Sequence, residues 1–187
     1  PQDAAIWYKH AAEQGNVRAQ HRLGFLYEQG IGLPKSQRDA LKWYKKAATE
    51  NDYAPAKVSM ARVYQSGGEV SKNLKEAALW YEDAAQQGDP IAQFETGYLY
   101  EQGEAVKKNM ATAYKWYSLA ASALPDGELR SAAIVARIAS ANGLSENELM
   151  GARQQVLNWT PKESLWKPVV PSGPSSSVPT ALREQGR

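Results

Sequence analysis

The sequence predicts an all-α fold, an α/α solenoid of stacked helical hairpins closed by a C-terminal pair of capping helices and followed by a disordered tail. Three observations predict it. An aromatic pair recurs as Trp7-Tyr8, Trp43-Tyr44, Trp80-Tyr81 and Trp116-Tyr117, at spacings of 36, 37 and 36 residues. Four positions after each Trp stands an Ala-Ala pair: Ala11-Ala12, Ala47-Ala48, Ala84-Ala85 and Ala120-Ala121. Between these blocks Ala19, Ala56 and Ala92 are each followed eight residues later by Tyr27, Tyr64 and Tyr100, and three residues after that by Gly30, Gly67 and Gly103. Self-similarity at such a period is the signature of a repeat array in which each unit buries its apolar face against the next.

Each element has a local reason. Residues 1–15 hold the second helix of a partial repeat, without its first helix. The chain opens at Pro1 with no basic and apolar leader, so the expectation is either a removed signal peptide or a fragment, and the orphan helix favours a fragment. Full repeats are expected over 16–51, 52–88 and 89–123. In the second helix of each, Ala40, Trp43, Tyr44, Ala47 and Ala48 fall at i, i+3, i+4, i+7 and i+8, one apolar stripe. Ser36, Asn73 and Asn109 stand seven residues before a Trp as helix caps, and Asp39 and Glu76 follow two of them by three positions, a variant of the capping box. The glycines stop the preceding helices.

A divergent terminal repeat is expected over 124–160. Its first helix carries Leu129, Ala132, Ala133, Ala136, Ile138 and Ala139. Its second opens on a Ser145 to Glu148 capping box and aligns Leu149, Ala152, Arg153, Val156 and Leu157. From 161 to 187 a Pro/Ser-rich tail cannot offset its ordering entropy by burial. It spells P-x-x-P at Pro168–Pro171 and Pro171–Pro174, a pattern that polyproline-binding grooves take.

Composition narrows the function. With 22 basic and 20 acidic residues interspersed, the formal charge is +2, and no basic block marks a nucleic-acid partner. No run is long and apolar enough to span a membrane. The absence of cysteine removes disulfides, thiolate metal sites and cysteine nucleophiles but names no compartment. His10 and His21 lie on different helices with no partner at metal spacing, so neither metal nor other cofactor is expected. "GIGLPKS" has too few glycines to cradle phosphate. Glu28 and Glu101 precede turn glycines in separate repeats, too far apart for paired acid and base work. A Trp buries up to about 250 Å², so the recurrent aromatic pairs are expected as packing devices, set close by the alanines. No enzyme is expected.

The series A-x-x-x-L-G-x-x-Y-x-x-G, a cap, then A-x-x-W-Y-x-x-A-A resembles the Sel-1-like repeat, a relative of the tetratricopeptide repeat. Ala19, Leu23, Gly24, Tyr27 and Gly30 match its first half, and Asp39, Ala40, Trp43, Tyr44, Ala47 and Ala48 its second. The sequence departs from it where Met60-Ala61 and Thr96-Gly97 replace Leu-Gly, where Asn51 replaces the glycine of Gly15 and Gly88, and where Glu69 and Ala105 replace Gly32. The resemblance implies a right-handed solenoid, with a lean toward bacterial periplasmic or secreted proteins. It also implies which first-helix positions line the concave face: His21, Phe25 and Glu28, then Val58, Arg62 and Gln65, then Phe94, Tyr98 and Glu101. A non-enzymatic adaptor or scaffold is expected, gripping a protein or peptide there. A structural spacer of a larger multi-repeat protein and a carbohydrate-binding envelope module are the alternatives.

Overall fold

The computed structural model describes residues 2–163, and within them every regular element is a helix. In chain order these are α1 (Gln2–Glu13), α2 (Val17–Gln29), α3 (Gln37–Glu50), α4 (Ala54–Ser66), α5 (Leu74–Gln86), α6 (Pro90–Gln102), α7 (Met110–Ala123), α8 (Glu128–Asn142) and α9 (Glu146–Leu157). From α1 to α8 each helix packs on the one that follows it in the chain, which is a solenoid. Both P-x-x-P motifs and the tail from residue 164 lie outside the described residues.

The caps form where the sequence places them. Ser36, Asn73 and Asn109 accept hydrogen bonds from the amides of Asp39, Glu76 and Thr112 at 3.1, 3.1 and 3.0 Å. Their own amides donate to the carbonyls of Tyr27, Tyr64 and Tyr100 at 2.9, 2.8 and 2.9 Å, which fixes the loop between paired helices to one length in all three repeats. The reciprocal half of a capping box closes at Ser145–Glu148 alone among these caps. Glu76 instead accepts from Trp80 Nε1 at 2.9 Å, so its carboxylate orients the indole one turn on. Gly30 and Gly103 take the left-handed conformation, φ 72° and 76°, that ends α2 and α6.

The spacing of 37 residues is absorbed at the α3–α4 turn. Gly15 and Gly88 hold φ of 88° and 90° immediately before the caps Asn16 and Asp89. In the middle repeat that conformation passes to Asp52, φ 50°, one position beyond Asn51, and the cap position falls to Tyr53, which makes no side-chain capping bond. Two contacts compensate. Pro55 in the first turn of α4 needs no amide partner, and Lys57, 1% exposed, pairs with Asp52 and, at 2.5 Å, with Asp83 of α5.

The aromatic pair divides its work unevenly. Tyr44, Tyr81 and Tyr117 are fully buried, whereas Trp116 alone of the four Trp is, Trp43 and Trp80 are half-buried, and Trp7 is 74% exposed. The Tyr therefore forms the centre of each hairpin. Its ring lies on a seat kept free of side chain: a Cβ on Gly24 would stand 2.5 Å from Tyr44, and one on Gly97 2.8 Å from Tyr117. The middle repeat holds Ala61 there, fully buried. A Gly97→Val substitution is expected to cost roughly 1–3 kcal/mol by overpacking, read as a lowered urea midpoint. An unchanged midpoint would show that the ring yields freely.

The terminal pair differs from a hairpin. Both α8 and α9 pack on α7 and scarcely touch one another. Of the α8 stripe Ala133 is buried, while Leu129, Ala132, Ile138 and Ala139 are exposed; on α9 Ala152 is buried and Leu157 exposed. The reason is the path of α9, which turns back over the second-helix layer so that Val156 and Trp159 join the cluster around Trp80, Trp116 and Leu119. Ile138 occupies the seat position, five residues after Ala133 as Gly24, Ala61 and Gly97 are after Ala19, Ala56 and Ala92. No Tyr helix follows to use it.

Candidate functional site on the first-helix face

The helices α2, α4 and α6 are the first members of successive hairpins and share one face. Its middle is held by His21, whose Nε2 meets Ser59 Oγ of α4 at 2.9 Å and whose ring lies 5.4 Å from Tyr44 and 5.6 Å from Tyr53. Ser59 Oγ donates to the Pro55 carbonyl at 3.2 Å, which leaves a lone pair for the imidazole N–H. Burial pushes the His21 pKa down to about 4, and the Arg22 and Arg62 charges push the same way. His21 is a neutral strut between α2 and α4.

Glu28, Gln65 and Glu101 share one duty. Each accepts the hydroxyl of the Tyr sixteen residues later: Tyr44 at 2.6 Å, Tyr81 at 2.9 Å and Tyr117 at 2.6 Å. Burial raises all three Tyr pKa values well above the ordinary range, and the Glu28 and Glu101 carboxylates add to it for Tyr44 and Tyr117. Val58 is buried. Phe94 lies half-buried, 5.5 Å from the Tyr117 ring and packed on the cluster of Ala120, Ala121, Leu124 and Ala133.

What reaches outward is the row two positions after the Leu23 slot: Phe25, Arg62 and Tyr98. Arg62 is exposed, Tyr98 is 44% exposed, and Phe25 is half-buried with the Arg22 guanidinium 4.8 Å from its ring centre, a cation–π contact. Arg22, Ser59 and Glu95, one position before that slot, extend the face and were absent from the sequence-derived set. Their signal was available, because a position three before an outward slot lies on the same side of a helix. Burial raises the Glu95 pKa, which Arg62 partly offsets. The face thus carries Arg22 beside Glu28 on α2, Arg62 on α4, and Glu95 and Glu101 on α6. Among the described residues no cluster of three or more His, Asp or Glu is placed to hold a metal ion, and no helix is long and apolar enough to cross a membrane.

Known proteins resemble this chain in sequence or in fold. Chitin synthase regulator SKT5 of Malassezia restricta is 40% identical over 50 residues, 27% of this chain and 4% of its own length. Its namesake in Saccharomyces cerevisiae is 42% identical over 50 residues, again 27% of this chain and 7% of its own length. The chain therefore spans a small fraction of these curated relatives. Among solved structures, a Sel1 repeat protein from Oxalobacter formigenes superposes with a TM-score of 0.58 at 26% identity, over 83% of this chain and 75% of that one. A protective antigen of uropathogenic Escherichia coli with an SLR fold superposes at 0.53 and 24% identity, over 83% and 40%. The family model described as Sel1 repeat matches residues 1–16, 17–52, 54–89 and 90–123, most of the chain, and follows the helix pairs described above. The chain belongs to the Sel1 repeat family.

Proposed function

We propose that the chain is a non-enzymatic adaptor that holds a protein or peptide partner against the concave, first-helix face of its solenoid, with Phe25, Arg62 and Tyr98 as the contact row. Sel1 repeat folds typically serve protein–protein interaction. The observation that carries the reading is the division of labour on the face. Six of the nine predicted positions are engaged in holding the array: His21, Glu28, Val58, Gln65, Phe94 and Glu101. The remaining three occupy one slot of three consecutive first helices and combine two rings with a guanidinium, the residue types that anchor interfaces. The regulator role in the names of the short fungal matches accords with action on another protein.

The test is affinity capture with cross-linking from source cells, comparing the chain with an Arg62→Ala/Tyr98→Ala variant. Neither side chain is buried, so helicity by circular dichroism stays as in the parent while the captured partner is lost. A captured set that is the same for both proteins would remove the contact row from the reading. Phe94→Ala is unsuitable as a probe, because its ring packs on Tyr117 and the change lowers stability directly.

A further inference from the structure

Where α9 returns over α7, the two helices leave a cleft of about 610 Å³ between them. Its walls are Lys115 of α7, Gln154 and Gln155 of α9, and Asn158, Trp159 and Thr160 directly after α9, with Gly151 adding bare backbone. The position before each Trp of the recurrent pair is exposed in the first three copies, as Ile6, Lys42 and Leu79. In the fourth copy it is Lys115, half-buried at the cleft wall.

The lining chemistry is narrow. No Asp or Glu lines the cleft, its one charge is the Lys115 ammonium, and its other polar side chains are three carboxamides, a hydroxyl and an indole N–H. Gln154 Nε2 donates to Asn158 Oδ1 at 2.9 Å, which orients the two amides and leaves the Gln154 oxygen as an acceptor and the Asn158 NH₂ as a donor. The ammonium is held in place but has no counter-charge. Its Nζ stands 4.5 Å from the centre of the Trp116 ring, a cation–π contact, and among the described residues Lys115 makes no ion pair. Burial holds its pKa below the ordinary lysine range. A bound anion would offset the hydration that this lysine has lost.

We infer that the cleft between α7 and α9 binds an acidic saccharide, with the carboxylate of a uronic-acid unit on Lys115 and ring hydroxyls on Gln154, Gln155 and Asn158. An ammonium makes a charge-assisted bond to a carboxylate, stronger than any it makes to a neutral hydroxyl. Sugar hydroxyls both donate and accept, as carboxamides do, so the two groups pair in either direction. The aromatic wall is the Trp159 indole, and the electron-rich face of an indole suits the C–H side of a sugar ring. An acidic peptide fits less well, because an extended peptide takes its specificity from pockets for alternate side chains, and no aliphatic side chain lines this cleft. The cleft lies apart from α2, α4 and α6, so the inference is independent of the adaptor reading.

Titration of the ¹⁵N-labelled full chain with trigalacturonate, and separately with the neutral galactotriose, tests it. The expected result is saturable shifts of the Trp159 indole N–H and of the Gln155 and Asn158 side-chain amides with the acidic sugar, and binding of the neutral one weaker by about tenfold or more. Lys115→Gln abolishes the preference for the acidic sugar, whereas Lys42→Gln, at the same slot of the second hairpin, preserves it. Gln155→Ala, an exposed position, weakens both sugars alike, and the ligand-free spectrum of each variant shows that the fold is kept. Absence of a saturable shift with trigalacturonate overturns the inference. Equal weakening by Lys42→Gln and Lys115→Gln overturns it too, since the attraction would then belong to the surface at large. Tighter binding of hexaglutamate at the same signals would make an acidic peptide the occupant and overturn it as well.

Discussion

Tyr81→Ala is expected to destabilise the array by about 3–5 kcal/mol, the usual cost of deleting a buried aromatic ring and leaving its cavity. Tyr81 has no exposed surface and joins one cluster with Val58, Ala61, Ala77, Ala84, Ala85 and Leu99, drawn from α4, α5 and α6. Against a total stability of about 5–15 kcal/mol for a domain, that loss leaves a large unfolded fraction at 37 °C. Tyr81→Phe separates ring from hydroxyl. It removes the hydroxyl's 2.9 Å bond to Gln65 and its contact with Arg62 and is expected to cost about 1 kcal/mol. Urea unfolding followed by circular dichroism measures both, and a Phe variant as unstable as the Ala variant would place the energy in the hydroxyl. The neighbouring Trp80 is half-buried, so its truncation costs less than that of Tyr81.

Acid is expected to weaken the protein through His21 by up to about 3 kcal/mol, a figure from one pKa unit being worth about 1.4 kcal/mol. Above pH 6.5 the imidazole is neutral in folded and unfolded chains alike, and this part of the stability is complete. As pH falls from 6.5 toward about 4, the unfolded chain binds a proton that the folded one refuses, and stability drops. The groups facing His21 explain the refusal: Arg22 and Arg62 are cations, and Tyr44, Tyr53 and Ser59 offer a neutral ring no compensating charge. Asp89 and Glu95, both raised by burial, act in the opposite sense as pH falls toward their ordinary values. The His21 share is therefore the difference between the parent and a His21→Gln variant in urea midpoints across pH 4–7. Parallel profiles for the two proteins would exclude His21 as the cause.

The architecture was legible because its signals are local and repeated. Ser36, Asn73 and Asn109 each bond an amide three residues away, so spacing alone specifies the cap. The Ser145 box is of the same kind. Whether Trp or Tyr of each pair is the more deeply buried was not legible, because both sit on the apolar stripe and only the placement of the neighbouring first helix distinguishes them. The backward path of the segment after α9 also depends on distant partners of Lys162, the carbonyl of Gln86 and the carboxylate of Asp83. On the candidate face, an oxygen acceptor stands sixteen residues before the Tyr in every complete hairpin, as Glu28, Gln65 and Glu101. That regularity was present in the sequence and marks a latch within the array, whereas Phe25, Arg62 and Tyr98 differ in type from copy to copy as contact residues do.

Ile138 sets the direction in which this architecture can lengthen. An additional Trp-Tyr hairpin spliced after α8 would bring its phenol ring onto a branched aliphatic group where the internal copies offer a bare methylene or a methyl. Growth by duplication at this end thus requires that this isoleucine first be replaced by glycine or alanine.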